Sequence, residues 1–209
     1  MEIEFLYQIA ILLMSVVIHE VAHGVTSNHL GDPTARYAGR LTLNPIKHLD
    51  PMGSFVVPTI SYLLGGFIFG WAKPVPYNPH NLPAGRGSEV MVAAAGPISN
   101  FLIALFFGLL IRFSAGASFA TDAFIHITAL IVFLNVLLGV FNLMPIPPLD
   151  GSKLLYTLFP EKAYRMREVF DRFGIFAVLI FIFVLWQFIS PVIGWIFTLI
   201  TGLPLGPTF

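Results

Sequence analysis

The stretch FLYQIAILLMSVVIHEVAHGV, residues 5–25, places the motif H-E-x-x-H inside an apolar run as long as the roughly 20 residues that cross a bilayer. In a helix, His19 and His23 lie on one face, one turn apart, where both imidazoles can hold a single metal ion. Glu20 is offset around the helix, so it can reach a water molecule at that ion without being a ligand. Ionisable groups in a membrane segment cost roughly 2.5–3.5 kcal/mol each on insertion scales, so their presence here indicates a function.

Composition places the whole chain in the membrane. Of its 209 residues, 56% are hydrophobic and only 11% are charged, whereas soluble domains carry about 25% charged residues. No polar stretch is long enough for a separate soluble domain, so we expect a single membrane-embedded domain over residues 1–209. Cysteine is absent, which excludes thiolate ligands, so any metal must be held by His, Asp or Glu. The net charge of zero and the lack of a basic cluster argue against a nucleic-acid partner.

The apolar segments predict an all-α multi-pass membrane protein with about four transmembrane helices. We assign these spans to residues 5–26, 90–113, 123–147 and 174–200. A further apolar segment, residues 51–70, is weak as a span because it contains Pro58 and several glycines towards its end. We therefore expect this segment to be re-entrant, dipping into the membrane without crossing it.

The polar connections predict the remaining structure. Residues 36–43 could form a short strand, and the proline-rich residues 71–83 suit an extended strand or loop. Together they would make a small β element near the cytoplasmic face. The charged residues 153–172 suit a helix that lies at the membrane interface.

Charge distribution distinguishes two topologies. If residues 51–70 are re-entrant, every Lys and Arg residue except Arg112 lies on the cytoplasmic side, as the positive-inside rule favours. If that segment crosses fully, the later segments are inverted and Asp150 lies on the opposite face from His23. The re-entrant topology is the stronger alternative.

A third metal ligand must come from elsewhere, because catalytic zinc sites usually have three protein ligands and a water. The best candidate is Asp150, which follows a run with three prolines at the end of the span 123–147. These prolines prevent a regular helix, and irregular backbone at membrane depth is tolerated only against protein or a water-filled cavity. In the favoured topology His19, His23 and Asp150 all lie towards the cytoplasmic side.

Three motifs give the chain a specific resemblance: H-E-V-A-H at 19–23, A-G-P-I-S-N at 95–100 and N-L-M-P-I-P-P-L-D-G at 142–151. With these motifs the sequence resembles the site-2 protease family of intramembrane zinc metalloproteases. The phrases G-R-L-T-L-N-P at 39–45 and G-W-A-K-P-V-P at 70–76 resemble its compact bacterial and archaeal branch, which lacks PDZ or CBS domains.

The resemblance implies a function and a set of site residues. It implies Zn²⁺ held by His19, His23 and Asp150, with Glu20 as general base. It further suggests Asn100 and Asn142 as polar contacts to substrate or to the developing oxyanion. The implied activity is hydrolysis of peptide bonds in or near transmembrane segments of membrane proteins, as in regulated intramembrane proteolysis. The expected location is the cytoplasmic membrane, with the active site towards the cytoplasm.

The sequence leaves alternatives open. A non-proteolytic metal transporter or receptor could use the same His and Asp residues, although a transporter should show paired broken helices. A tethered peptidase of soluble peptides is disfavoured, since no soluble domain could house its site. Asn100 and Asn142 could merely hydrogen-bond neighbouring helices, which is the interpretation we adopt for Asn135. Substrates should carry helix-weakening residues near the cut, because a regular helix keeps its amides in hydrogen bonds.

Overall fold

The computed structural model of the protein describes residues 2–57, 59–60, 63, 72–114, 117–160 and 184–205. Its helices are α1 (Glu2–His29), α2 (Thr34–Tyr37), α3 (Arg86–Phe113), α4 (Asp122–Asn142), α5 (Asp150–Leu158) and α6 (Val184–Thr201). By length and composition, α1, α3, α4 and α6 could each cross a membrane. The prediction of an all-α protein with about four transmembrane helices is therefore confirmed.

Long helices that follow one another along the chain alternate in direction. Near the starts of α1 and α4, Glu4 Oε1 lies 3.2 Å from His126 Nε2, so these two helices run parallel. At the end of α3, Arg112 donates a hydrogen bond to the Leu199 carbonyl near the end of α6, at 2.6 Å. The end of α6 also lies beside the start of α4, where Asp122 and Leu203 line one small cavity. Each long helix therefore runs opposite to the preceding one.

Helix α3 is the centre of the bundle. It packs most extensively on α4 and also on α1 and α5. The apolar core joins α3, α4 and α6 through a cluster of buried side chains: Ala104, Ile111, Ala129, Val132, Val136, Ile193 and Phe197. Towards the other end of the bundle, α1 buries the polar residues Ser15, His19, His23 and Ser27, and the candidate site lies there.

The predicted strand over residues 36–43 is wrong. Residues 34–37 form α2, and the described residues contain no strand anywhere. The amides that a strand would share with a partner instead close the end of α2: Gly39 N donates to Arg36 O, and Arg40 N donates to Ala35 O, both at 3.0 Å. Gly39 has a φ of +63°, so this is a glycine-terminated helix end, a local structure that ends the helix without a partner strand.

The proline-rich stretch is a loop. Residues 72–78 are non-helical, pair with no strand and lead into a short 3₁₀ turn, Pro79–Asn81. Because proline has no N–H, Pro74 and Pro76 cannot take part in a regular ladder of hydrogen bonds. Trp71 and half of the predicted re-entrant segment, residues 51–70, lie outside the described residues, although residues 51–57 are helical. The interfacial helix predicted over 153–172 is described only as far as residue 160.

The span predicted over 123–147 ends early, since α4 stops at Asn142. Residues 143–149 are irregular, as their prolines predict, and α5 then begins at Asp150. The last span, predicted over 174–200, is described from Val184 to Thr201.

Candidate metal centre

Helix α1 brings the two histidines of the motif into the interior. His19 and His23 are 6% and 8% exposed, and both face α3. The close approach of α3 depends on Gly96: a Cβ at this position would lie 2.6 Å from His19 Nε2 and closer still to His23 Nε2. The glycine of the A-G-P-I-S-N motif therefore forms one wall of the site.

Asp150 completes the cluster from a distant part of the chain. Its Oδ2 atom lies 3.0 Å from the Nε2 atoms of both His19 and His23, which are 3.1 Å from each other. Gly151 makes this position possible, since a Cβ there would overlap the carbonyl groups of Leu143 and Met144. The three residues predicted as ligands therefore meet at one point.

The outer nitrogen of each imidazole is also bound. His23 Nδ1 lies 2.7 Å from the Val92 carbonyl oxygen, and His19 Nδ1 lies 2.6 Å from Asn100 Oδ1. Both oxygens can only accept a hydrogen bond, so each Nδ1 donates, and in the neutral imidazole each Nε2 then presents a lone pair to the cluster. Orientation of metal-binding histidines by such outer partners is the usual arrangement in metalloproteins.

This donor set fits a divalent metal ion. Two neutral nitrogens and a carboxylate oxygen repel one another at 3.0–3.1 Å unless positive charge lies between them. A single proton can serve only one pair of atoms, whereas a metal ion serves all three. Zn–N and Zn–O bonds of about 2.0–2.1 Å in a tetrahedral site place ligand atoms about 3.3–3.4 Å apart, close to the separations here.

The second oxygen of Asp150 is bound by a cation. Lys153, one turn further along α5, donates from Nζ to Asp150 Oδ1 at 3.0 Å. Burial disfavours the charge on Lys153, but the neighbouring Asp150 carboxylate outweighs this and raises the pKa of the Lys153 ammonium. The two carboxylate oxygens are thus divided, with Oδ1 facing Lys153 and Oδ2 facing the imidazoles.

Glu20 points towards the proline-rich loop. Its Oε2 atom accepts a hydrogen bond from the backbone N–H of Val75 at 2.7 Å. Sequence reasoning placed this carboxylate beside the metal but could not foresee the contact, which joins residues 55 positions apart.

Two charged residues fix the loop that contacts Glu20. Arg40 donates from Nη2 to the Lys73 carbonyl at 2.7 Å. Asp32 accepts from the Asn78 backbone N–H at 2.7 Å and from Asn81 Nδ2 at 2.9 Å. Burial alone would raise the pKa of the Asp32 carboxyl, but hydrogen bonds from Thr34, Asn81 and Asn78 outweigh it and lower that pKa. The loop is therefore anchored on both sides of Val75.

The two asparagines suggested as substrate contacts have different environments. Asn100 is fully buried, and both polar atoms of its amide are used within the helix bundle, on His19 and Asn135. Asn142 is half-buried at the end of α4 and donates to the Leu138 carbonyl at 3.0 Å.

Sequence reasoning gave no role at the site to Gly96, Lys153 or Asn135. The proximity of Lys153 to Asp150 in sequence was an available signal, since residues three apart on a helix are neighbours. The contacts of Gly96 and Asn135 depend on how the helices pack.

Comparison with known proteins gives consistent results. The family model of peptidase family M50 matches residues 7–186. A Bacillus subtilis protein named "putative zinc metalloprotease YwhC" is 40% identical over 186 residues, covering 85% of this chain and 80% of the relative. The protein named "putative zinc metalloprotease Rip2" from Mycolicibacterium smegmatis is 33% identical over 200 residues, covering 94% and 72%. No solved structure gives a significant match.

Proposed function

Because the chain belongs to peptidase family M50, the site-2 protease family that its motifs predicted, we propose that it is a zinc metalloprotease acting on peptide bonds in or near the transmembrane segments of membrane proteins. The observation that carries the proposal is the convergence of His19 Nε2, His23 Nε2 and Asp150 Oδ2 within 3.1 Å, inside a bundle of apolar helices. The alternative of a metal transporter or receptor has no support from the family or the relatives.

The three converging atoms are the proposed zinc ligands. Zinc bound there would act as a Lewis acid on the scissile carbonyl and lower the pKa of water to about 7. Lys153 binds Asp150 Oδ1, so that only Oδ2 of this carboxylate faces the metal position. The Nδ1 contacts to Val92 and Asn100 keep both imidazoles in orientation.

Glu20 is the proposed general base. Its carboxylate accepts a proton from the attacking water and later donates it to the leaving nitrogen, which such a group does with a typical gain of about 10²–10⁴-fold. In the structure Glu20 Oε2 accepts from Val75 N–H, so it is held on the side of the loop over residues 72–78. Asn142 remains the proposed oxyanion donor, since its amide lies at the end of α4, just before the irregular chain that leads to Asp150.

The membrane arrangement rests on the direction of the helices. The end of α1 and the start of α3 meet at the site, so the connection between them starts and ends at the same end of the bundle. A single crossing by residues 51–70 would carry the chain to the opposite end, which supports the re-entrant arrangement. Every described Lys and Arg residue except Arg112 also lies at this end of the bundle, which supports a cytoplasmic location for it.

The decisive experiment compares Glu20→Gln with the wild-type protein in liposomes. The substrate is a synthetic peptide with one transmembrane segment that contains a Gly-Pro pair. We expect Glu20→Gln to retain zinc and to lose cleavage by about 10²–10⁴-fold. Glu89→Gln is the matched control, because Glu89 is exposed on α3 and should leave the rate unchanged.

The same preparations distinguish the alternatives. Cleavage by zinc-loaded Glu20→Gln at the wild-type rate would contradict the proposal. Zinc uptake into the vesicles by the wild type and Glu20→Gln alike, without cleavage, would indicate a transporter. Faster cleavage of a soluble peptide than of the membrane-embedded one would indicate a tethered peptidase.

A further inference from the structure

A chain of buried polar side chains extends from the metal centre into the helix bundle. His19 Nδ1 faces Asn100 Oδ1 at 2.6 Å, and Asn100 Nδ2 donates to Asn135 Oδ1 at 3.0 Å. Asn135 Nδ2 then donates to Ser15 Oγ and to the Ile131 carbonyl, both at 2.9 Å. Asn100 and Asn135 are fully buried and Ser15 is 4% exposed, so water does not replace these contacts.

One hydrogen bond in this series of side chains has a fixed direction. The Ile131 carbonyl can only accept, whereas an asparagine amide can turn over and exchange its donor and acceptor. Because Asn135 must present Nδ2 to Ile131, its Oδ1 faces Asn100. Asn100 must then present Nδ2 to Asn135 and its own Oδ1 to His19. His19 Nδ1 is thereby required to carry a proton, which leaves the lone pair on Nε2.

We propose that Asn135 is a positioning residue for the metal centre, which selects, through Asn100, the tautomer of His19 that can bind a metal through Nε2. This inference rests on the proposed function, since zinc is the ion concerned. Without Asn135, the Asn100 amide is free to turn over and present its Nδ2 to His19 Nδ1. The imidazole would then carry its proton on Nε2, where it blocks coordination.

The direct test is zinc affinity of the purified protein in detergent, measured by competition with a chromophoric chelator. We expect Asn135→Leu to weaken zinc binding by about 10–100-fold, the usual effect of losing an outer partner of a metal ligand. Asn135→Ala should act in the same direction and serves if the leucine variant does not fold.

Two matched controls separate positioning from packing. Ser15→Ala removes one acceptor of Asn135 but keeps the Ile131 carbonyl, so the polarity of the chain and the zinc affinity should not change. Thr128→Val alters a buried residue two turns earlier on α4, outside the chain of contacts, and should also leave zinc affinity unchanged. A purely structural effect of helix packing would appear in the thermal stability of all these variants.

The tautomer itself can be observed by ¹⁵N NMR of labelled histidine in the metal-free protein. The His19 signals are assigned by their absence from His19→Gln protein. We expect the Nδ1–H form in the wild type and a shift towards Nε2–H in Asn135→Leu. An Nε2–H form in the wild type would overturn the proposal without any variant.

The outcomes also separate this inference from the proposed function. If the wild type binds zinc and folded Asn135→Leu or Asn135→Ala binds it equally well, the inference is wrong and the proposed function stands. If the wild type binds no zinc, both are wrong.

Discussion

Adding a single methyl group at Gly96 should disable the metal centre. Gly96 lies on α3 where that helix packs against His19 and His23 of α1. An alanine Cβ would lie 2.6 Å from His19 Nε2 and closer still to His23 Nε2, the two nitrogen atoms proposed to bind zinc. The new methyl group would therefore overlap both nitrogen atoms.

The size of the effect follows from these distances. Ordinary contacts between nonbonded heavy atoms are about 3.5–4.0 Å, so the imidazoles or the helix must move by about 1 Å. A misplacement of that size can cost about 100-fold in rate, equivalent to about 2.7 kcal/mol of transition-state stabilisation. Alanine favours helix formation over glycine by roughly 0.5–1 kcal/mol, so α3 itself should not be weakened.

The assay measures kcat/KM on the liposome-embedded peptide together with bound zinc. Gly87→Ala is the control, because Gly87 lies in the first turn of the same helix and a Cβ there meets nothing within 4 Å. We expect Gly87→Ala to match the wild type and Gly96→Ala to lose at least about 100-fold in kcat/KM. Normal zinc content and normal kcat/KM in Gly96→Ala would refute the reasoning.

Two further predictions concern charged groups beside the site. Lys153→Met should lower kcat/KM by about tenfold or more, since a hydrogen bond to a charged group contributes about 1.5–3 kcal/mol; Lys153→Arg should retain most activity, and equal rates for all three proteins would exclude a role for the charge. Asp32 has a lowered pKa in the folded protein, so its contribution to stability is present above its unfolded pKa of about 4 and is lost as the pH falls through the folded value. Asp32→Asn should therefore lower the melting temperature at neutral pH, because it replaces the carboxylate that accepts from Asn78 and Asn81. The difference in melting temperature between the variant and the wild type should become smaller at acid pH. A difference in melting temperature that is constant with pH would contradict the lowered pKa of Asp32.

The transmembrane helices could be predicted from sequence because apolar length alone largely determines them. The proposed ligands His19 and His23 could be predicted for a similar reason, since their spacing is a property of one helix. Asp150 was found from topology, which the sequence encodes through charge distribution and prolines. These features depend on local pattern or on the side of the membrane, and they do not require knowledge of side-chain packing.

The remaining features depend on contacts that a linear pattern does not contain. Residues 36–43 have a sequence compatible with a strand, but the end of α2 uses their amides and Gly39 turns the chain. Asn135 contacts neighbouring helices, as expected, but its connection to His19 passes through a second asparagine on another helix, which no linear pattern reveals. The contact of Glu20 with Val75 likewise depends on a loop held by Asp32 and Arg40.

The proposed ligands lie far apart along the chain, so a bound ion would stabilise the fold. His19 and Asp150 are 131 residues apart, so an ion held between them would close a loop that contains most of the protein. In a chain without cysteine, such an ion performs the stapling role that a disulfide performs in secreted proteins. Binding free energy then becomes folding free energy. Chelation would accordingly lower the free energy of unfolding as well as halting turnover.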